Sequence, residues 1–152
     1  MTTFAFPTLL SNFITALNGA SSLTGTRIFD GAEIDSSFPN DWVAVGYDGG
    51  DGENQMLVAS ARNEHMAFGE IHSEDGYLTC VLTAQDGGST LTQLRVRAYN
   101  LLSAVDSVIR SDPKFSNAVL DSWLESHTTF YRATNLGFAV VINFTLAYKA
   151  ST

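Results

Sequence analysis

Asp48, Asp51 and Glu53 stand close together in the glycine-rich stretch DGGDGEN at 48–54. Spaced loop carboxylates are how a calcium loop is built, because a hard cation takes oxygen ligands. The frame fails here. Counted from Asp48, the third and fifth loop positions are glycine, and the sixth, where a calcium loop needs glycine, is Glu53. The stretch reads as a solvated acidic turn. His65, His72 and His127 are scattered, with no second ligand type four residues away on a helix, so no metal-binding spacing emerges. Ser, His and Asp all occur, but no Gly-x-Ser-x-Gly elbow presents a nucleophile. Gly87-Gly88 precedes a helical pattern without the lysine of a phosphate loop, and the glycines at 49–52 lead into no helix. Asn143-Phe144-Thr145 fits a glycosylation sequon but lies within a strand pattern, in a chain whose first twenty residues lack Lys and Arg and do not form an export signal. The one cysteine, Cys80, excludes an internal disulfide and a cysteine-rich zinc site, and is expected as an inert core residue. From these residues no catalytic set and no metal-binding spacing emerges.

The informative charges are Arg95 and Arg97, on the segment TLTQLRVRAYNLLSAVDSVIRS at 90–111. Leu91, Leu94, Ala98, Leu101, Leu102, Val105, Val108 and Ile109 fall on one stripe at 100° per residue, which predicts an amphipathic helix about 30 Å long. Thr90 and Gln93 have the spacing of a capping box, and Asp112-Pro113 sets the stop. The two arginines flank opposite borders of the stripe. They either snorkel over the core edge or meet an acidic partner, which could be a second copy of the chain.

The other elements follow from pattern. Pro7 and Thr8 open a short helix carrying Leu9, Leu10, Phe13, Ile14 and Leu17, with Gly19 as a left-handed stop. Residues 20–40 are rich in Ser, Thr, Gly and Asp; within them 27–29 are expected as a brief strand ending at the Asp30-Gly31 turn, and the remainder as a long surface loop pinned by Phe38 and Pro39. A strand at 42–47 is followed by residues 56–61 and 64–73, as one bent strand or two. Glu74-Asp75-Gly76 is expected to be a hairpin turn. In the strand at 77–85, Leu78, Cys80, Leu82 and Ala84 share one face, with Tyr77, Thr79, Val81 and Thr83 on the other. After the long helix come a strand with mixed faces at 119–132, a turn at Asn135 and Gly137, and a strand at 136–149. That last strand lines up Phe138, Val140, Ile142, Phe144, Leu146 and Tyr148, with small or polar residues opposite. The order predicts one α+β domain over 1–152: a mostly antiparallel β-sheet with a long central helix and a short N-terminal helix packed on one face.

With 152 residues the chain can bury a sizeable core. Charged residues are 16%, against a usual ~25%. Either Ser, Thr and Asn make the surface polar, or neighbouring subunits cover part of it. The net charge of −8 is unevenly placed: residues 1–94 hold twelve acids and two bases, residues 95–152 four acids and six bases. Between Ile28 and Ala61 there are seven acids and no Lys or Arg. An acidic chain without a basic cluster binds phosphates poorly, yet could surround DNA without sticking to it. The longest uninterrupted apolar run, 138–142, is too short to span a membrane, so no membrane partner is expected.

Three stretches resemble the tail terminator (tail completion) proteins of long-tailed, non-contractile bacteriophages, particularly those of actinobacterial hosts. They are RIFDGAEIDSSFPNDWVAVGYDG at 27–49, RVRAYNLLSAVDSVIRSDPK at 95–114 and GFAVVINFTLAYKA at 137–150. They cover little more than a third of the chain, and the order of elements follows over nearly all of it. The segment NEHMAFGEIHS at 63–73 and the glycine-rich loop at 48–55 depart from the family's pattern. The resemblance implies a non-enzymatic virion protein at the top of the tail, assembled in the host cytoplasm and needing no cofactor. Its partners would be itself in a hexameric ring, the tail tube protein and the head-completion or connector proteins, with genome DNA passing through the lumen. On that basis Arg95, Arg97, Asp48, Asp51, Glu53, Glu70 and Glu74 are candidate subunit or tube contacts, the acidic ones drawn from the 28–55 region and the 62–75 segment. The alternatives are a tail-tube or head–tail joining subunit, or a small ligand-binding or enzymatic α+β domain.

Overall fold

A computed structural model describes residues 4–31, 41–50, 57–65, 72–134 and 137–151. In chain order the elements are α1 (Phe6–Gly19), β1 (Arg27–Asp30), β2 (Asp41–Val45), β3 (Ala59–His65), β4 (His72–Gln85), α2 (Leu91–Ser111), β5 (Asp121–Thr134) and β6 (Gly137–Ser151). The fold is α+β. The spine is the antiparallel pair of β4 and β6, in register from Ser73 opposite Ser151 to Gln85 opposite Ala139. β5 pairs with the far edge of β6. The other edge of β4 is shared: its first half pairs with β3 and its second half with β2, both antiparallel. β1 lies parallel to β2, giving the order β1-β2-β4-β6-β5 with β3 beside β4.

Both helices pack on one face of this sheet. α2 buries Leu94, Ala98, Leu101, Leu102, Val105 and Ile109, and α1 buries Leu9, Phe13 and Leu17. They meet Leu78, Cys80, Leu82 and Ala84 of β4 and Val140, Ile142, Phe144, Leu146 and Tyr148 of β6. Each fully buried Leu or Phe contributes roughly 1.5–3 kcal/mol, so this one layer supplies most of the driving force. The inward stripe of β6 stops short of Phe138, which was expected in the core but is 51% exposed. The opposite sheet face is not wholly solvated either. Phe29, Trp42, Ala44, Val81 and Val141 form a second, smaller core there.

Local chemistry sets the helix ends. Thr90 caps α2: its hydroxyl accepts from the Gln93 amide at 3.2 Å, and its own amide donates to Gln93 Oε1 at 2.9 Å. The stop at Asp112-Pro113 is sharper than a proline alone would make it. Phe115, Ser116 and Asn117 all have positive φ, of 45°, 57° and 66°. Left-handed backbone costs roughly 1–2 kcal/mol per residue. Three contacts offset it. Phe115 is buried edge-on against Phe13 at 5.3 Å, Asn12 Nδ2 donates to the Phe115 carbonyl, and Asp112 Oδ2 accepts from the Ser116 amide. α1 ends differently from expectation. Gly19 is not left-handed; Ala20 turns extended, and the chain enters a short 3-10 turn at Ser21–Leu23 that buries Leu23. Gly25, with φ +85°, takes the left-handed position instead.

The largest departure concerns Glu74-Asp75-Gly76. These residues lie inside β4, paired with β3, and make no turn. The glycine is there for close approach. A Cβ on Gly76 would sit 2.7 Å from Tyr148 Oη and 2.8 Å from the Ser60 carbonyl oxygen. The Tyr148 ring crosses the bare backbone of its cross-strand neighbour Gly76, and its hydroxyl donates to Glu74 Oε1 at 2.8 Å. Glu74 Oε2 accepts from the Ala5 amide at 2.8 Å. Burial first, and the neighbouring Glu74 second, push the Tyr148 phenol well above its ordinary pKa. The expected loop at 32–40, with Phe38 and Pro39, and the turn residue Asn135 lie outside the described residues.

Gly76→Ala should therefore destabilise the fold by about 1–3 kcal/mol, as overpacking does. Urea unfolding of the two proteins checks this. An unchanged midpoint would mean that the Tyr148 ring does not need a bare backbone at position 76.

Candidate assembly interface

Arg95 and Arg97 of α2 prove to have different work. Arg97 reaches back over the ends of β2 and β4. Its Nε and Nη2 lie 3.0 and 2.9 Å from Asp41 Oδ1, Nη2 also donates to the Gln85 carbonyl at 2.9 Å, and Nη1 is 3.5 Å from Asp86 Oδ2. The acidic 28–61 region is thus met by Arg97, but within the same chain, through Asp41. Burial raises the Asp41 carboxyl above its ordinary pKa against the pull of Arg97. Asp86 is held low, first by the Gly88 amide and then by the Ser89 hydroxyl, with a smaller share from Arg97.

Arg95 lies on the opposite border of α2, over β5. Its Nε donates to Tyr131 Oη at 2.8 Å, and its guanidinium stands 5.6 Å from the Tyr131 ring centroid. Beside it, Tyr99 Oη and Thr129 Oγ1 are 2.7 Å apart, and the Tyr99 ring meets His127 edge-on at 5.8 Å. These contacts are exposed. They hold β5 to the helix without covering it.

The acidic candidates fare unequally. Asp48 organises its own loop: Oδ1 accepts from the Gly50 amide at 2.9 Å and Oδ2 from the Leu57 amide at 3.0 Å. Tyr47 Oη also bonds the Gly50 carbonyl, and Gly49 has φ +89°. Asp51, Glu53 and Glu70 lie outside the described residues. Glu74 is 5% exposed, with both carboxylate oxygens taken by Tyr148 and Ala5, so its carboxylate faces into its own protomer. Among the described residues no three His, Cys, Asp or Glu side chains gather as a metal site.

What the sequence pattern did not single out is the outer strand of the sheet. β5 is fourteen residues long, and its outer edge pairs with no other strand among the described residues. It carries Trp123, Phe130 and Tyr131 exposed, with Phe138 of β6 and Val96 and Tyr99 of α2 exposed nearby in the fold. The signal was present in the mixed faces of 119–132, where aromatic residues occupy both sides of the strand. Trp123 also lines two shallow grooves, of about 240 and 270 Å³. Their walls hold no set of side chains arranged for chemistry.

Arg97→Ala should leave the half-buried Asp41 without its counter-ion and raise its pKa further. A carboxyl whose folded pKa is raised favours folding below its unfolded value of about 3.9, and loses that contribution as pH rises through the folded value. The variant should thus trail the wild type more at pH 7 than at pH 4, by on the order of 1 kcal/mol at the higher pH. Denaturant midpoints at the two pH values check it, and an equal deficit at both would exclude the Asp41 account.

No family model matches the sequence, and comparison with curated proteins gives no match. In fold, the chain is similar to one in a solved structure of the virion of a native gene transfer agent particle. The TM-score is 0.55 at 10% sequence identity, over 99% of this chain and 100% of that one. At that identity the likeness is one of fold, and it spans the whole arrangement of sheet and helices.

Proposed function

We propose that this chain is a structural protein of a phage-like virion, and within it a tail terminator. In this reading six copies form a ring on the head-proximal end of the tail tube. The ring stops tube growth and presents a surface to the head-completion proteins, and the genome passes through its centre. The protein acts by contact and performs no catalytic step.

The observation that carries the reading is the end-to-end fold likeness to a virion chain, which covers 99% of this chain and 100% of that one. The resemblance of residues 27–49, 95–114 and 137–150 to tail terminators supports the finer role. A long outer strand with exposed aromatic residues supports a protein whose surface is covered by neighbours. The acidic excess in residues 1–94 suits head-to-tail contact with the more basic remainder, and a heterologous contact of that kind closes into a ring when its rotation allows. The runner-up is a tail-tube or head–tail joining subunit, since the fold likeness alone fits any of these positions.

Polymerising the tail tube protein with and without this chain tests the role. Tubes formed in its presence should be short and carry the chain at one end only, whereas tubes without it should overgrow. Copies distributed along the tube would make it a tube subunit, and tubes of unaltered length with no bound chain would contradict the proposal.

A further inference from the structure

His65 and His72 are seven residues apart in the sequence, a spacing that carries no ligand signal by itself. The antiparallel pairing of β3 with β4 sets them directly opposite each other. Directly opposed residues of such a pair project to the same side of the sheet. Their rings stand 5.0 Å apart, centroid to centroid, with 47° between the ring planes. Both residues are exposed. The described pairing of β3 with β4 ends at this couple, and β4 pairs with β6 only from Ser73 onward. The two imidazoles thus sit at the limit of the described sheet, open to solvent.

We propose that His65 and His72 form a two-histidine site for a late first-row divalent cation such as zinc. The separation of the rings carries the inference. An imidazole nitrogen binds zinc at about 2.0–2.1 Å and the ring centre lies roughly 1.2 Å behind it, so each centroid stands about 3.2 Å from the ion. Two such ligands at roughly 90–110° on the ion bring their centroids to about 4.5–5.3 Å. The observed 5.0 Å falls inside that range. The strands are therefore already at ligating distance, and turning two exposed rings about their side-chain bonds is what remains. Imidazole selects the class of ion. Zinc, nickel and copper accept nitrogen ligands, whereas calcium and magnesium take oxygen. Glu64 and Glu74, the described acids next to the pair, are engaged already: Glu64 with Arg62 at 3.2 Å, and Glu74 with Tyr148 and Ala5. Two ligands thus come from the described residues, and water fills the other positions. The bound ion ties β3 to β4 across their last described pair and stabilises the folded chain by mass action.

Calorimetric titration of the tag-free chain with zinc, and separately with calcium, tests this near neutral pH. Zinc should bind at one site per chain, and calcium should not. At about ten times its dissociation constant, zinc should raise the thermal midpoint of the wild type by roughly 3–6 °C. His65→Ala and His72→Ala should each lose both the binding and the shift. His127→Ala, whose ring stands against Tyr99 instead, should keep both. The substituted positions are exposed, and the metal-free midpoint of each variant checks that it folds. Acidification to about pH 5 should release the ion, because a protonated imidazole has no lone pair to give. No saturable zinc binding by the wild type, or binding that survives both single substitutions, would overturn the proposal and leave His65 and His72 as a ring contact alone. Calcium binding as tight as that of zinc would assign the ion to carboxylates and overturn it as well.

Discussion

The carboxylate of Glu74 is the point on which the fold's geometry turns. It lies buried between two donors that are far apart in sequence, the amide of Ala5 and the hydroxyl of Tyr148. A buried acceptor of this kind is costly to leave unmade, so both donors are held where the carboxylate needs them. The Ala5 bond fixes the entry of α1. The Tyr148 bond fixes the register of β6 on β4, since the ring can reach Glu74 only by crossing the bare backbone of Gly76. Register is what places the inward faces of both strands under α2. A slip of one residue would turn Leu78, Cys80, Leu82 and Ala84 away from the helix. Cys80 lies fully buried in that layer, and burial pushes its thiol up to about 12 against a smaller opposing pull from the Gly46 backbone.

Once the spine and its helices satisfy one another, the unsatisfied parts of the molecule lie at its margins. Arg97 illustrates the inside of that boundary, because its neighbours belong to the same chain and it works for the fold. Arg95, two residues away, illustrates the outside. It stacks on an exposed tyrosine and keeps charge to offer. The chain has few charges overall, a lopsided distribution of them and exposed aromatic residues on an edge strand.

Much of this was legible in the amino-acid order, and the failures are instructive. The α2 helix could be read down to its capping box, because amphipathic period, cap and proline stop all agree there. The buried face of β4 was equally plain from alternation. Gly76 misled because Asp-Gly is a turn signal locally, while its use here is to admit a ring from a residue seventy-two positions later in the sequence. Gly19 misled for the same reason, since burial of Leu23 overrode a local stop. Phe138 follows the inward alternation of β6 but falls beyond the end of the helix layer. Of the candidate contacts, Arg95 and Arg97 were found as helix-border charges, but pattern could not divide them into one for the fold and one for the surface. The aromatic edge of β5 went unread because an exposed face and a buried one look alike when both carry Phe, Tyr and Trp.

We propose that this protein works as one member of a ring at a tube's end. Cryo-electron microscopy of tail tubes assembled with the purified chain tests it most directly. The account predicts one closed ring of six copies at a single end of each tube. Copies repeated along the tube, or a chain that never joins it, would contradict the account.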